Sequence, residues 1–378
     1  MRKIGLGVLN AAVLAWFLVP GRLRIDLNVY RIGADVWLAG GDLYGRMPAT
    51  LIGNHLPFTY PPIAAVLFTP FTPLPFAAAG VVLTLLSIAG LTFVVLVVLR
   101  ALDVRLAYAA VLLPPALLLE PVRVTLYFGQ INVLLMALVA ADCLVRRPRW
   151  PRGALVGLAA AIKLTPIAFV LFFLLRGDRK AAATAAGSFL AVTAAGFALN
   201  PAGSLKYWTG TVFDPDRIGK ASQESNQSVN GVLARLGIER GLVWLVLVTL
   251  VVAVGTLAVR RATNDVEAMG LNALIVLLVS PVSWSHHWVW VVPLLLAAWR
   301  VRPVVAAAGV VVFFLSPHWW WDADDGWTWL SVTVGNAYFW CAIAVLGYRR
   351  GAFSIRGIRS ADRQLGRPRV DVDHRAVA

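Results

Sequence analysis

Long apolar segments without charged side chains constrain this chain more than any other feature. The stretch 77–99 contains no charged residue, and about 20 apolar residues are enough for a helix to cross a bilayer. Similar stretches recur along the chain, in which only 14% of residues are charged, whereas a soluble domain carries roughly 25%. Because these stretches lack the alternation typical of strands, they predict an all-α polytopic membrane protein.

The chain is predicted to form about ten full spans and two broken helical hairpins. The spans are 4–20, 77–99, 106–119, 130–145, 181–199, 241–259, 268–284, 286–299, 303–317 and 329–347. The segments 59–76 and 153–175 are predicted to enter and leave the membrane on one side, because prolines interrupt them and single crossings would place basic loops outside. Irregular backbone at membrane depth is tolerated where it lines a cavity, so we expect both segments to form cavity walls.

The distribution of basic residues predicts the orientation of the chain. Its net charge of +15 is concentrated in short loops and in the C-terminal segment, which is the positive-inside pattern. This pattern indicates anionic membrane lipids as partners rather than nucleic acid. Both termini are therefore expected in the cytoplasm, with 21–58 and 200–240 as outer loops. We expect one monomeric membrane domain over 1–347 and a basic, disordered tail over 348–378.

Asp26 follows the first apolar segment and begins a polar stretch at the predicted outer surface. A solvated loop acid is one interpretation of this residue. The other is a general base, because a carboxylate can accept a proton from a sugar hydroxyl. The helical pattern from Ile32 to Leu38 predicts an amphipathic surface helix that would brace Asp26 over the membrane.

Lys163 lies close to Pro166 in the second broken segment. A lysine at the bilayer centre costs roughly 2.5–3.5 kcal/mol on insertion scales, so it either snorkels to the interface or binds a lipid-linked phosphate. Further candidates for binding the donor phosphate or substrate, all on the predicted outer side, are Tyr60, Gln130, Asn132, Asn226, Asn230, Trp284, His286 and His287. Capping, loop stabilisation and interfacial hydrogen bonds are the alternatives for this set. Adjacent histidines do not form a metal pair; we expect no metal or other cofactor, with a divalent cation left open.

Seven short motifs follow one another over about residues 20–300 of the chain. They are Asp26-Leu-x-Val-Tyr30, Gly41-Asp-Leu-Tyr44, Phe58-Thr-Tyr-Pro-Pro62, Gly129-Gln-x-Asn132, Ile162-Lys-Leu-Thr-Pro166, Asn226-Gln-Ser-x-Asn230 and Ser280-Pro-x-Ser-Trp-x-His-His287. As a set they resemble the motifs of the polyprenyl-phosphate-mannose-dependent mannosyltransferases of actinobacteria. These are the PimE-like enzymes of glycosyltransferase family 87, which have the GT-C fold.

This resemblance implies an inverting α-mannosyltransferase at the outer face of the plasma membrane. Polyprenyl-phosphate-mannose would be the donor, and a glycolipid or lipoglycan would be the acceptor. The product would be an α-mannoside, with α-1,2 as one candidate linkage. Asp26 takes the role of the catalytic base. Lys163, His286 and His287 would stabilise the charge of the leaving phosphate, without a metal.

Other functions are compatible with the same features. Relatives within the family transfer arabinofuranose from an analogous prenyl phosphate. A transporter or flippase of a lipid-linked sugar would place its charges near the midplane, often in repeated halves; the predicted surface position of Asp26 and the lack of a visible repeat favour the enzyme. The complete motif set likewise disfavours a catalytically silent partner in envelope assembly.

Overall fold

The computed structural model describes residues 2–18, 24–322 and 326–348. Within these ranges the chain is helical and contains no β-strand, only an isolated bridge between Asn226 and Trp284. Residues 349–378, which form almost all of the predicted basic tail, lie outside the described residues. Residues 21–23, at the start of the first predicted outer loop, also lie outside the described residues.

The helices are mostly short and are joined by tight turns. In chain order the α-helices are α1 (Arg2–Leu18), α2 (Ile25–Leu38), α3 (Pro62–Phe68), α4 (Phe76–Ala101), α5 (Ala109–Leu118), α6 (Glu120–Phe128), α7 (Asn132–Leu144), α8 (Ala154–Ile162), α9 (Phe169–Leu175), α10 (Arg179–Leu199), α11 (Pro201–Thr209), α12 (Val229–Arg235), α13 (Leu242–Arg261), α14 (Asp265–Val279), α15 (Val291–Val301), α16 (Pro303–Leu315), α17 (Trp329–Gly335) and α18 (Ala337–Gly347). The 3-10 helices are Thr69–Phe71, Leu106–Tyr108, Thr165–Ala168, Thr211–Phe213, Pro215–Ile218, Ser285–Trp290 and Pro317–Trp320.

Several of these helices are long and apolar enough to cross a membrane. The segments that qualify alone by length and composition are Phe76–Ala101, Arg179–Leu199, Leu242–Arg261 and Pro303–Trp320, and two bent helix pairs raise the number from four to six. The prediction of an all-helical, multi-pass membrane protein is therefore confirmed. The predicted count of about ten spans is not reached among the described residues, because helices such as α7 and α14, with 13 and 15 residues, are too short to qualify.

The second predicted broken segment is broken at Lys163. Helix α8 ends at Ile162, and Lys163 is extended with φ −146° and ψ 123°. A 3-10 turn containing Pro166 follows and leads into α9. Because proline donates no N–H and its ring fixes φ, it is tolerated at the start of such a turn but not within a helix. Lys163 therefore lies at the break between α8 and the 3-10 turn Thr165–Ala168.

Helix α8 lies against α10, and Gly157 allows their close approach. A Cβ at position 157 would lie 2.4 Å from the carbonyl oxygen of Ala185 and 2.6 Å from the Cβ of Ser188. The Ser188 hydroxyl donates a hydrogen bond to the Ala154 carbonyl at 2.8 Å. This contact fixes the position of α8 and therefore of Lys163 at its C-terminal end.

The buried carboxylate of Asp142 connects α7 to α8 at the basic loop. Its two oxygens accept hydrogen bonds from Trp150 Nε1 at 2.6 Å and from the backbone N–H of Val156 at 2.8 Å. Arg152 donates to the carbonyl of Asp142 at 3.0 Å. These bonds satisfy an acid that is 0% exposed and hold the helices that carry Asn132 and Lys163 in register.

Candidate active site

A cavity of about 520 Å³ brings most of the predicted site residues together. Its walls are the first turn of α2, the segment before α3, the break after α8, the turns over 211–218 and the segment 280–287. Seven of the predicted residues line it, namely Asp26, Tyr60, Gln130, Lys163, Trp284, His286 and His287. Asn132 lines a small adjoining cavity of about 40 Å³, whereas Asn226 and Asn230 contribute to neither cavity.

Asp26 occupies the first turn of α2 and is partly exposed to the cavity. The helix begins at Ile25, upstream of the pattern at 32–38 that predicted it, so the acid is held by helical backbone and not by a free loop. Burial raises the pKa of Asp26 to about 7, although the positive charge of Lys163 and a hydrogen bond from Gln130 partly lower it. A carboxyl group that exchanges its proton near neutral pH is suited to general-base catalysis.

Two tyrosines orient the amide of Gln130 beside Asp26. The Tyr30 hydroxyl donates to Gln130 Oε1 at 2.7 Å, and the Tyr60 hydroxyl lies 3.1 Å from the same oxygen and 2.8 Å from the Tyr30 hydroxyl. With the carbonyl oxygen engaged in this way, the NH₂ group of Gln130 is the end that faces the Asp26 carboxylate. Gly129 supplies the left-handed residue (φ 69°) that ends α6 and turns the chain toward this position.

Lys163 faces the cavity and is held by neutral partners. Its Nζ donates to Asn132 Oδ1 at 2.8 Å and lies 3.4 Å from His287 Nε2. It also lies 5.4 Å from the ring centroid of Tyr60. Because an ammonium group only donates, His287 Nε2 acts as the acceptor in this contact. These contacts favour the phosphate-binding interpretation of Lys163 over snorkelling.

The 3-10 turn Ser285–Trp290, the histidine turn, presents the two histidines at the cavity wall. The carbonyl oxygen of His286 accepts hydrogen bonds from Thr125 Oγ1 at 2.9 Å and from Asn132 Nδ2 at 3.0 Å. The rings of His286 and His287 meet edge to face with centroids 4.7 Å apart. His286 Nε2 is buried and has no hydrogen-bond partner among the described residues, so this nitrogen is available to a ligand.

Asn226 and Asn230 support the cavity wall from behind. Asn226 Oδ1 accepts from the backbone N–H of Ser283 at 2.9 Å, and Asn230 Nδ2 donates to the carbonyl of Pro281 at 3.1 Å. Both asparagines are buried, at 0% and 7% exposure. These contacts favour the loop-stabilising interpretation of the pair, since they fix the segment that leads through Trp284 to the histidine turn.

Glu120 is a site residue that sequence reasoning did not identify. It is fully buried and accepts hydrogen bonds from Ser285 Oγ at 2.7 Å, Trp319 Nε1 at 2.8 Å and the Tyr338 hydroxyl at 2.9 Å. His318 Nε2 lies 3.4 Å from the same carboxylate. Because Ser285 begins the histidine turn, Glu120 fixes that turn from inside the protein. In the sequence, the signal that could have identified Glu120 is its position as a single acid within a long apolar stretch.

The sequence Asp214-Pro-Asp216 contains two acids separated by one residue. Asp214 lines the cavity, but Asp216 does not. No group of three histidine, cysteine, aspartate or glutamate side chains among the described residues is placed to hold a metal ion.

Comparison with known proteins relates this chain to an enzyme family. The model of glycosyltransferase family 87 matches residues 58–281. The chain is 43% identical to a polyprenol-phosphate-mannose-dependent alpha-(1-2)-phosphatidylinositol mannoside mannosyltransferase of Mycobacterium tuberculosis, over 85% of this chain and 83% of that protein. The equivalent protein of Mycolicibacterium smegmatis is 40% identical over 85% and 82%. A phosphatidylinositol pentamannoside mannosyltransferase of Mycolicibacterium smegmatis is 38% identical over 85% and 78%.

Two solved structures of ArnT from Cupriavidus metallidurans also align with the chain. The apo structure is 15% identical and has a TM-score of 0.43, covering 92% of this chain and 76% of that one. The structure bound to undecaprenyl phosphate is 19% identical with a TM-score of 0.45, covering 92% and 77%.

Proposed function

Because this chain belongs to glycosyltransferase family 87, we propose that it transfers mannose from polyprenyl-phosphate-mannose to a phosphatidylinositol mannoside. The mycobacterial relatives carry out an alpha-(1-2) transfer of this kind, which supports mannose over arabinofuranose as the transferred sugar. The proposed reaction occurs at the outer face of the plasma membrane, with both termini in the cytoplasm. We propose a single, monomeric membrane domain over 1–347 with the GT-C fold.

The observation that carries this proposal is the pairing of a carboxyl group and an ammonium group in one cavity. Asp26 and Lys163 both line the cavity and are close enough for their charges to interact. A sugar phosphate donor needs a base near the attacking hydroxyl and a cation near the leaving phosphate. This cavity offers one group of each kind.

In the proposed reaction, one displacement at the anomeric carbon links the two substrates. The acceptor oxygen forms a bond to C1 of mannose while the bond from C1 to the phosphate oxygen breaks. Asp26 takes the proton of the acceptor hydroxyl, and polyprenyl phosphate leaves with the bonding electron pair. Attack from the side opposite the leaving group converts a β-linked mannosyl phosphate into an α-mannoside.

The leaving phosphate is already a stable anion, so no acid has to protonate it. Electrostatic stabilisation of its developing charge is the remaining requirement. Lys163 meets this requirement as a cation whose Nζ is oriented by Asn132. His286 Nε2 has no partner among the described residues and adds a donor when it carries the ring proton. Gln130, which is oriented by Tyr60, holds Asp26 at the acceptor side.

The proposal is tested by mannose transfer with purified protein in detergent. Synthetic polyprenyl-phosphate-mannose is offered with a panel of phosphatidylinositol mannosides to the wild type and to Asp26→Asn. We expect transfer by the wild type and a loss of roughly 100- to 10,000-fold in the variant, the range that a general base contributes. Donor binding should survive in Asp26→Asn.

Full activity in Asp26→Asn would reject the assignment of the base while leaving the activity in place. A wild type that transfers no mannose would reject the proposed donor. The same assay with prenyl-phosphate-arabinose then tests the arabinofuranosyltransferase, and a second negative result would favour a transporter of the lipid-linked sugar.

A further inference from the structure

Arg217 is a second cationic residue on the wall of the same cavity. It lies in the 3-10 turn Pro215–Ile218 and lines the cavity. Its Nε and Nη2 atoms are buried and make no hydrogen bond to any described residue. Buried guanidinium N–H groups without acceptors are costly, so this arrangement favours a ligand that brings acceptor oxygens to Arg217.

Arg217 and Lys163 have different neighbours on the cavity wall. Lys163 interacts electrostatically with Asp26 and with both adjacent histidines. Arg217 is instead a charged neighbour of Tyr44, whose ring lies 5.4 Å from that of Tyr207 at the cavity wall. The chemistry proposed above uses only the Lys163 side, which leaves the Arg217 side without an assigned ligand.

The surroundings of Arg217 indicate that its ligand is a lipid. The turns Thr211–Phe213 and Pro215–Ile218 follow the apolar helix α10 and the short helix α11 along the chain. Phe213 and Ile218 expose 74% and 43% of their surface. Exposed apolar side chains around a cation are typical of a segment in contact with the membrane interface. A guanidinium group in such a segment matches the phosphate of a lipid headgroup, which it can bind in a bidentate manner.

We propose that Arg217 binds the phosphodiester of the glycolipid acceptor, while Lys163 serves the phosphate of the donor. This inference rests on the proposed function, in which both substrates are anionic lipids. A phosphatidylinositol mannoside carries its phosphodiester between the inositol and the acylglycerol. Holding that group at Arg217 would direct the mannosyl headgroup along the cavity toward Asp26.

The test compares an anionic acceptor with a neutral one. Steady-state kinetics are measured with a phosphatidylinositol mannoside and with an alkyl mannoside, for the wild type, Arg217→Met, Arg217→Lys and the control Lys220→Met. Lys220 is exposed, lies three residues further along the same loop and does not line the cavity. In Arg217→Met we expect KM for the anionic acceptor to rise roughly 10- to 100-fold, the loss typical of one charged hydrogen-bonding partner.

The other kinetic constants separate this role from a structural one. KM for the donor and KM for the alkyl mannoside should be unchanged in Arg217→Met. KM for the anionic acceptor should lie between the values of the wild type and Arg217→Met in Arg217→Lys. In Lys220→Met it should equal the wild-type value. Equal losses on both acceptors would assign Arg217 to structure, and an increased donor KM would assign it to the donor. Either result overturns the proposal.

A binding measurement keeps the inference separate from the proposed function. Binding of the phosphatidylinositol mannoside in detergent is measured for the wild type and Arg217→Met without donor. If the wild type transfers no mannose, the proposed function fails. Glycolipid binding that is weakened in Arg217→Met would still support the phosphate site, and equal binding by both proteins would reject it.

Discussion

At Asp26, burial and the neighbouring groups act on proton affinity in opposite directions. Burial favours the neutral acid, whereas the charge of Lys163 and the amide of Gln130 favour the carboxylate. The balance leaves the pKa of Asp26 at about 7, well above the 3.8 of an exposed aspartate. The base is therefore only partly ionised at neutral pH, and its ionisation depends on the cation that serves the donor.

This dependence predicts the pH profile of the reaction. Only the carboxylate form of Asp26 accepts a proton, so kcat/KM should fall as the pH decreases through about 7, because this constant reports the free enzyme. In Lys163→Met the loss of the positive charge raises the pKa of Asp26, so the acid limb should move to higher pH. The measurement is kcat/KM for mannose transfer between pH 5 and 9, in the wild type and in Lys163→Met.

Lys163→Arg is the matched control for the pH experiment because it preserves the charge. Its acid limb should remain near that of the wild type even if its rate decreases. A wild type without an acid limb between pH 5 and 9, or an unchanged limb in Lys163→Met, would contradict the assignment of Asp26 and Lys163 as an interacting pair.

Glu120 is expected to act on the reaction through the histidine turn. Glu120→Ala would leave the Ser285 hydroxyl, the Trp319 indole and the Tyr338 hydroxyl without their acceptor, at a cost of about 3 kcal/mol or more. Thermal unfolding should show a marked decrease in Tm. Glu120→Gln keeps the shape and one acceptor oxygen, so it should fold and lower kcat more than it raises KM.

The control for Glu120 is Glu239→Gln, since Glu239 is an exposed acid in a loop outside the cavity. It should change neither Tm nor kcat. A Glu120→Gln protein with wild-type kcat would show that the buried carboxylate contributes to folding alone.

Among the helices, the contact between α8 and α10 determines where Lys163 lies. Gly157→Ala places a methyl group 2.4 Å from the Ala185 carbonyl, so α8 must move outward. Overpacking of this kind costs roughly 1–3 kcal/mol. We expect a lower Tm together with an increased donor KM, because Lys163 shifts with the helix.

Gly187→Ala is the control on the neighbouring helix. A Cβ at Gly187 of α10 meets nothing within 4 Å, and alanine is a better helix former than glycine by about 1 kcal/mol. Tm should therefore stay constant or rise, with unchanged donor KM. If both glycine variants behave alike, close packing of α8 does not position Lys163.

The sequence predicted some of these elements well and others poorly. The break at Lys163 was predictable because Pro166 and the flanking basic loops constrain the backbone locally. The start of α2 at Ile25 was not, because residues 25–29 alternate apolar and polar side chains, a pattern typical of a strand, and tertiary packing decides their conformation. The predicted number of spans is not confirmed among the described residues, because apolar helices such as α7 resemble spans in sequence but are too short to qualify as spans by themselves.

The candidate site was predictable in its residues more than in their roles. Polar groups in apolar surroundings are conspicuous, so Asp26, Lys163 and the histidines could be identified. Whether an amide faces the cavity or supports its wall depends on contacts distant in sequence, such as that between Asn230 and Pro281. Arg217 is one of many loop arginines, and only the position of its guanidinium group in the cavity distinguishes it.

At the scale of the whole molecule, the predicted orientation places the cavity and the basic loops on opposite sides of the membrane. Cysteine labelling tests this with Lys220→Cys and Arg146→Cys in a background without Cys143 and Cys341. Arg146 has a side chain that is 79% exposed, and Lys220 is also exposed. A membrane-impermeant maleimide should label Lys220→Cys in intact cells and Arg146→Cys only after the membrane is disrupted.

The labelling result bears directly on the side at which mannose is transferred. The reverse pattern would place the cavity in the cytoplasm and contradict the proposed topology. Labelling of both variants in intact cells would indicate damaged membranes, which an intracellular reporter protein carrying an exposed cysteine would reveal.

Asn132 uses both ends of one amide, because Oδ1 accepts from Lys163 and Nδ2 donates to the carbonyl of His286. Because one amide serves both Lys163 and His286, the order in which substitutions can accumulate at this site during evolution is limited. Aspartate at 132 would lose the donor, and replacement of Lys163 would leave the amide oxygen without its cation. We expect each single change to weaken the site before a second change can restore it, so the effects of the two changes should be epistatic. Descendants that depart from this arrangement should therefore differ at several of these positions together.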